Sequence, residues 1–172
     1  TLDGRAGAAA GRSRATLPAR CRRRRGGMGP RTRGVLLASP SNPTGTVYTS
    51  TELRALAEVL LKHPHVFIMT DDMYEFLVYD DAKFSTIAAV EPRLYDRTLT
   101  LNGLSKAYCM TGWRVGYAAG PLTIIKAMNM IQSQSTTATS TISQWAGVAA
   151  LDGDHSFIAK NNAVFKERRD LV

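Results

Sequence analysis

The sequence has few cysteines and no long hydrophobic run. Only two of its 172 residues are cysteine, Cys21 and Cys109, which excludes a disulfide framework and favours a reducing compartment. No apolar run approaches the roughly 18 residues that a membrane-spanning helix needs. We therefore expect a soluble, cytoplasmic protein with no membrane partner.

Acidic residues are almost absent from the first part of the chain. Residues 1–33 contain ten arginines and one acid, Asp3, whereas residues 34–172 contain twelve lysines and arginines and thirteen acids. The formal charge of +8 therefore belongs to the N-terminal part, and the rest is nearly neutral. Residues 1–29 also lack an apolar period, so we predict that they are disordered. A nucleic-acid-binding arm, an organelle-targeting peptide and a segment foreign to the rest are the three explanations for them.

Polar residues follow two short apolar runs that are typical of buried strands in a parallel sheet. The run Gly34–Ala38 leads into the loop Ser39–Gly45, and the run Val66–Thr70 leads to Asp71. In open α/β sheets, ligands bind at the carboxyl ends of the strands. We therefore expect Asp71 and the loop that carries Asn42 to meet there, although an ordinary turn explains either motif alone.

A helix is predicted between these two runs. The pattern Thr49-Ser-Thr-Glu52 is typical of a capping box, and apolar residues then repeat at helical spacing. This helix is expected to cover the sheet. His63 and His65 follow it with no third ligand nearby, so they indicate a helix-to-strand turn rather than a metal site.

A lysine without an acidic neighbour follows the third strand-like run. Lys106 comes after Gly103 and Ser105, and the stretch Asn102–Gly116 contains no carboxylate. Desolvation in a turn of small residues would favour the free amine, which can attack a carbonyl carbon and form a Schiff base. Further along the stretch, Arg114 offers a guanidinium fork that can bind a phosphate. The stretch therefore predicts a nucleophilic lysine near an anion-binding arginine.

Together these motifs resemble those of class I aminotransferases, the fold-type I enzymes that use pyridoxal phosphate. The lysine signature Gly103–Gly116, the asparagine loop Ser39–Gly45 and the D-x-x-Y motif Asp71–Glu75 occur in the order found in the family. The amino-acid sequence is most similar to those of the bacterial aspartate aminotransferases. The resemblance runs from about residue 30 to residue 172 and does not include residues 1–29.

The resemblance implies a three-layer α/β/α fold with a mostly parallel sheet. Residues 30–172 would form an incomplete large cofactor-binding domain, and residues 1–29 a separate basic segment. Family members are more than twice as long as this chain, so we expect a fragment that is weakly active or inactive by itself. The arginine that binds the substrate α-carboxylate in the family has no counterpart in this sequence.

The resemblance also implies roles around the cofactor ring. Lys106 would be the catalytic residue, holding pyridoxal 5'-phosphate as a Schiff base and then moving a proton to and from the substrate α-carbon. Asp71, rather than its neighbour Asp72, would keep the pyridine nitrogen protonated. Asn42 and Tyr74 would contact the phenolic oxygen, and Asn42 would also lie near the substrate carboxylate.

By the same resemblance, phosphate binding is expected to depend on Arg114 and, in addition, on Ser105. Gly103 stands where many family members have a phosphate-binding serine, and this leaves the phosphate more dependent on Arg114. Cys109 stands where alanine, glycine or serine is usual, and we expect it to be a small buried substitution. No metal site is predicted.

Two amphipathic segments follow the lysine signature. Pro121 is predicted to start a helix whose apolar face ends at Ile131, and the polar interval 132–139 is predicted to break it. A second apolar face resumes at Ile142 and includes Trp145. In the family this region faces the second subunit, so the resemblance implies a homodimer.

The sequence thus predicts transamination between an amino acid, with aspartate as the leading candidate, and a 2-oxo acid. Another fold-type I enzyme, such as a lyase or a relative of aminocyclopropane-carboxylate synthase, would use the same lysine, aspartate and arginine. A non-catalytic protein whose basic arm binds nucleic acid is the third hypothesis.

Overall fold

A four-stranded sheet organises the described part of the chain. The computed structural model describes residues 28–171, so the predicted disordered arm lies almost entirely outside it. The strands are β1 (Gly34–Ala38), β2 (Phe67–Asp71), β3 (Thr98–Gly103) and β4 (Gly116–Ala119), in that order across the sheet. β1, β2 and β3 are parallel, and β4 is antiparallel to β3. The predicted α/β fold with a mostly parallel sheet is confirmed.

Helices connect and follow these strands. The α-helices of residues 28–171 are α1 (Ser50–Leu61), α2 (Ile87–Val90), α3 (Leu122–Ser135), α4 (Thr141–Asp152) and α5 (Ser156–Asp170), and short 3₁₀ helices span Pro92–Arg97 and Thr111–Trp113. None of these helices has both the length and the apolar character needed to cross a membrane.

Helix α1 begins where the capping box predicts. The Thr49 side chain accepts a hydrogen bond from the Glu52 amide at 3.2 Å, and the Glu52 carboxylate accepts one from the Thr49 amide at 2.9 Å. The helix buries one apolar face against the sheet, as predicted. The core on this side consists of Leu37, Leu53, Leu56, Ala57, Leu60, Val66, Ile68, Ile87 and Leu94.

Arg97 holds the connection between α1 and β2. Its guanidinium donates to the carbonyl oxygens of His63 at 2.9 Å, Val66 at 2.6 Å and Leu60 at 2.7 Å. Burial lowers the pKa of Arg97. The helix-to-strand turn predicted at His63 and His65 is thus confirmed. No group of three potential ligands among residues 28–171 could hold a metal ion.

The substitution Arg97→Met is expected to lower the free energy of unfolding by about 2 kcal/mol. The methionine keeps the apolar stem, but three carbonyl groups lose a charged donor. Urea denaturation followed by circular dichroism measures the effect, with substitution of the exposed Arg31 by methionine as the control. Equal stability of the two variants would contradict the expectation.

One face of β1 is open. Leu37 is the one buried hydrophobic residue of this strand, whereas Leu36 is 59% exposed. The prediction that the whole run is buried is therefore wrong for the described residues. β1 is an edge strand of the sheet, and α1 covers only one of its faces.

Helices α3 and α4 expose most of their apolar residues. α3 has no buried residue, and Ile131 is 67% exposed. The helix continues to Ser135, so the break predicted to begin at residue 132 is displaced by about a turn. The Ser135 hydroxyl donates to the Ile131 carbonyl at 3.0 Å, which shows how a polar side chain is accommodated within the last turn.

Candidate active site

The asparagine loop and Asp71 lie side by side at the carboxyl ends of β1 and β2. Ala38 is the register partner of Asp71, and the Ser39 amide donates to the Asp71 carbonyl at 3.4 Å. Gly45, with φ of 66°, closes the loop that carries Asn42. Positive φ suits glycine because it has no Cβ. The predicted meeting of the two motifs at one sheet edge is confirmed.

A tight turn follows Asp71. The Asp71 carboxylate accepts a hydrogen bond from the Met73 amide at 3.1 Å, and the Glu75 amide donates to the Asp72 carbonyl at 2.9 Å. These local bonds order the backbone between the strand end and Tyr74. The D-x-x-Y motif therefore forms a compact turn in which Asp71 and Tyr74 are both half-buried.

Tyr74 lies between Asn42 and Lys106. The Asn42 side-chain amide donates to the Tyr74 hydroxyl at 3.4 Å, and Lys106 Nζ lies 5.4 Å from the centroid of the Tyr74 ring. The second distance is typical of a cation–π contact. Side chains from three separate loops thus lie close together, with Tyr74 contacting both Asn42 and Lys106.

Lys106 lies in the connection between β3 and β4, residues 104–115. Gly103 and Gly116 are register partners at its base, and the Leu104 amide donates to the Val115 carbonyl at 3.2 Å. Buried residues of the connection pack against α5. This second cluster contains Leu104, Ala107, Tyr108 and Ile158.

Ser105 and Arg114 lie at the two sides of the base of this connection. Arg114 adopts a left-handed backbone, with φ of 54° and ψ of 46°, and its guanidinium donates to the Thr111 carbonyl at 3.0 Å. No hydrogen bond between described residues joins either side chain to the Asn42–Tyr74 pair. The ion pairs found within residues 28–171 include neither Lys106 nor Arg114, so no protein carboxylate there neutralises these cations.

Cys109 is exposed, and the prediction that it is buried is wrong. Its backbone is left-handed, with φ of 55°, and its amide donates to the Lys106 carbonyl at 3.1 Å. The Asn161 side chain donates to Cys109 Sγ at 3.6 Å. The turn that follows Lys106 thus directs this position to the surface, and the residue pattern contains no signal for such a backbone.

Two further carboxylates lie beside the candidate residues. Asp72 is 3% exposed and accepts a hydrogen bond from the Thr70 hydroxyl at 2.6 Å. Glu75 accepts one from the Asn102 side chain at 2.7 Å. Burial raises the pKa of Asp72 and of Glu75. Sequence reasoning missed the pairing of Glu75 with Asn102 because the two residues are 27 positions apart.

The buried Asp72 carboxyl predicts a pH-dependent loss of stability. Because its native pKa is raised, the native chain binds this proton more tightly than the unfolded chain, so stability falls as pH rises from about 4 through the native pKa. Over that window Asp72→Asn should gain stability relative to the wild type, by roughly 1.4 kcal/mol for each unit of pKa shift.

Urea denaturation from about pH 4 to about pH 8 measures this gain. The Thr70 hydroxyl can still donate to the asparagine oxygen, so the variant keeps its hydrogen bond. Substitution of the exposed Asp81 by asparagine is the control. A stability difference between Asp72→Asn and the wild type that stays constant with pH would contradict the expectation.

Comparisons with known proteins agree with this geometry. The family model for aminotransferase class I and II matches residues 18–172. The aspartate/prephenate aminotransferase of Cereibacter sphaeroides is 61% identical over 143 residues, which are 83% of this chain and 36% of that protein. A probable aspartate/prephenate aminotransferase of Rhizobium leguminosarum bv. phaseoli is 59% identical over the same shares. The chain therefore spans 36% of the length of these two relatives.

The family match begins inside the segment that was predicted to lie outside the family. Residues 18–29 belong both to the match and to the predicted basic segment. The domain boundary at residue 30 therefore stays a prediction.

Solved structures share the fold. The crystal structure of the aspartate aminotransferase from Rhizobium meliloti is 54% identical with a TM-score of 0.86, over 88% of this chain and 38% of that one. The aspartate aminotransferase from Thermus thermophilus with maleate is 41% identical with a TM-score of 0.80, over 88% of this chain and 39% of that one. The predicted fold, part of the large domain of these enzymes, is confirmed. With its three motifs gathered at one sheet edge, the chain belongs to the class I and II aminotransferase family.

Proposed function

We propose that the protein transfers an amino group between an amino acid and a 2-oxo acid, with pyridoxal 5'-phosphate as its cofactor. One observation carries the proposal. Asn42, Tyr74 and Lys106 come from three separate loops and meet at the ligand-binding edge of the sheet, in a chain that belongs to an aminotransferase family.

The residues at this edge fit the functional groups of the cofactor. Lys106 offers an amine for its aldehyde, and Asp71 offers a carboxylate for its pyridine nitrogen. The Asn42 amide and the Tyr74 hydroxyl, 3.4 Å apart, can both donate to one phenolic oxygen. Arg114 offers forked donors for the phosphate and has no ion-pair partner among the described residues.

When bound, pyridoxal phosphate supplies an electron sink for negative charge that develops at the substrate α-carbon. Asp71 would hold a proton on the pyridine nitrogen and so strengthen that sink. Lys106 would hold the cofactor through its amine and would move a proton at the substrate α-carbon as general base and acid. Arg114, assisted by Ser105, would bind the phosphate end and so orient the ring.

Tyr74 is proposed to position both of its neighbours. The face of its ring attracts the Lys106 ammonium, and its hydroxyl accepts from the Asn42 amide. These two contacts hold the amine and the amide donor on the same side of the sheet edge. Pre-ordering of this kind lowers the entropic cost of bringing reacting groups together.

Aspartate and related dicarboxylates are the proposed substrates. Relatives at 61% and 59% identity are named aspartate/prephenate aminotransferases, and the similar Thermus thermophilus enzyme was solved with maleate. Aspartate, prephenate and maleate all carry two carboxylates. Asn42 is proposed to lie near one carboxylate of the bound substrate.

We propose a homodimer in the reducing environment of the cytoplasm. The exposed apolar residues of α3 and α4 support a protein contact there, since Ile142 is 74% and Trp145 is 70% exposed. The sequence contains two cysteines in 172 residues, which suits a reducing compartment. Residues 30–172 are proposed to form the partial large domain, and residues 1–29 a separate basic segment.

Borohydride reduction tests the proposed function. The chain is mixed with pyridoxal phosphate, reduced, digested and mapped by peptide mass spectrometry. We expect the reduced cofactor on Lys106. Equal labelling of Lys106 and the exposed Lys126 would overturn the proposal, because exposed lysines react with aldehydes without any site.

A further inference from the structure

Asn102 links the end of β3 to the turn after β2. Its side-chain nitrogen donates to Glu75 Oε1 at 2.7 Å, and its side-chain oxygen accepts from the Gly103 amide at 2.7 Å. One side chain therefore bonds to its own strand end and to a turn 27 positions earlier in the chain. Both distances lie at the short end of the range for hydrogen bonds with a nitrogen donor.

The surroundings of this hydrogen bond are tightly packed. Asn102 and Glu75 are half-buried, and burial raises the pKa of Glu75. The Asp72 amide donates to the Leu101 carbonyl at 2.9 Å. A Cβ at Gly103 would lie 3.0 Å from the end of the Met73 side chain. The turn and the strand end therefore form one packed unit.

Each partner in this hydrogen bond is next to a candidate active-site segment. Glu75 directly follows Tyr74, and Gly103, whose amide is bound by Asn102, precedes the connection that carries Lys106. Lys106 Nζ lies 5.4 Å from the Tyr74 ring centroid. A shift of either segment would change that separation.

We propose that the Asn102–Glu75 hydrogen bond is a positioning contact that holds the Lys106 connection against Tyr74 and so sets the reactivity of the Lys106 amine. The inference rests on the proposed function, in which this amine reacts with the cofactor. Glu75 acts through its oxygen acceptor rather than through its charge. Glutamine offers an oxygen acceptor of the same geometry without the charge, so the two roles can be separated.

Acylation of Lys106 by acetic anhydride in the cofactor-free chain tests the contact. The rate is measured by peptide mass spectrometry, with acylation of the exposed Lys126 as the internal reference. Glu75→Ala should raise the rate at Lys106 about fivefold, the size expected for loss of one ordinary hydrogen bond. Glu75→Gln should stay within about twofold of the wild type because it can still accept from Asn102.

Asn102→Asp is the second variant. It keeps an acceptor for the Gly103 amide but replaces the donor to Glu75 with a second carboxylate, so it removes the bond between the segments and adds repulsion between them. It should accelerate acylation at least as much as Glu75→Ala does, and the double variant should be no faster than Glu75→Ala, because the repulsion is then absent. Substitution of Glu58, an exposed residue of α1, by alanine is the control and should leave the rate unchanged.

The positioning contact would be overturned if the rate of Lys106 acylation in Glu75→Ala and in Asn102→Asp stayed within about twofold of the wild-type rate. A rate for Glu75→Gln as high as that for Glu75→Ala would also overturn it, because the charge of Glu75 would then be the cause. Acylation needs no cofactor, so its outcome is independent of borohydride labelling. If the cofactor adduct forms on Lys106 but the variants leave the acylation rate unchanged, the positioning contact alone is overturned. If the acylation rates change as expected but no adduct forms on Lys106, the proposed function alone is overturned.

Discussion

Substitution of Lys106 by alanine is expected to abolish the borohydride-stable cofactor adduct at this position. Lys106 is the proposed amine of the site, and its Nζ is held over the Tyr74 ring at 5.4 Å. Any transamination by the protein should fall by about a thousandfold, since positioned proton transfer by a side chain contributes about 10² to 10⁴. Alanine removes the nucleophile and the proton carrier in one change.

The control for this prediction is Lys126→Ala. Lys126 lies on α3 and is exposed, so its removal should leave the absorbance of the cofactor-loaded chain unchanged. The measurement is the visible absorbance before and after borohydride, followed by peptide mapping. An absorbance band of wild-type size in Lys106→Ala would show that another amine holds the cofactor.

Gly103→Ser is expected to destabilise the chain by about 3 kcal/mol, at the upper end of the range for overpacking. A Cβ at Gly103 would lie 2.9 Å from the Val115 carbonyl oxygen and 3.1 Å from Gly116 Cα. Both atoms belong to the backbone that pairs β3 with β4, so neither can move without opening the strand pair. Met73 alone, as a flexible side chain, could adjust.

This steric limit gives a physical reason for a departure from the family pattern. By the family resemblance, many members have a phosphate-binding serine at the position of Gly103, and Gly103→Ser would place a hydroxyl there. In this chain we expect it to disturb the base of the Lys106 connection instead. Urea denaturation measures the loss of stability, and cofactor titration shows whether binding weakens with it.

Gly112→Ala is the matched control for Gly103→Ser. Gly112 belongs to the same motif, and no heavy atom lies within 4 Å of the Cβ that alanine would add. Its effect on stability should be below about 1 kcal/mol. Equal losses in the two variants would show that the close approach at Gly103 is not the cause.

Local sequence patterns predicted those parts of the fold that local physics determines. The capping box at Thr49 correctly predicted where α1 begins, because both of its hydrogen bonds lie within one turn. The apolar run before Asp71 predicted β2. Parallel pairing of β1 with β2 then predicted that Asp71 lies beside the loop of Asn42. Short-range bonding and the geometry of parallel sheets were sufficient for these predictions.

Features that depend on distant contacts were not predicted. The exposure of Cys109 depends on a left-handed turn, and the pairing of Asn102 with Glu75 joins the end of β3 to the turn after β2. Hydrophobic spacing predicted apolar faces on α3 and α4 but could not show what contacts them, and Trp145 is 70% exposed. A periodic pattern identifies an apolar face, whereas the burial of that face depends on which other segments pack against it.

The register pairing of Gly103 with Gly116 makes residues 104–115 a closed ring of backbone. Lys106 and Arg114 both belong to this ring, whereas Asn42 follows β1 and Asp71 ends β2. The backbone that separates Lys106 from Arg114 is therefore closed at its base by β3 and β4 and includes no residue of β1 or β2. In the proposed complex, this one segment would supply the groups for both the aldehyde end and the phosphate end of the cofactor, whereas separate segments would supply the groups for its ring.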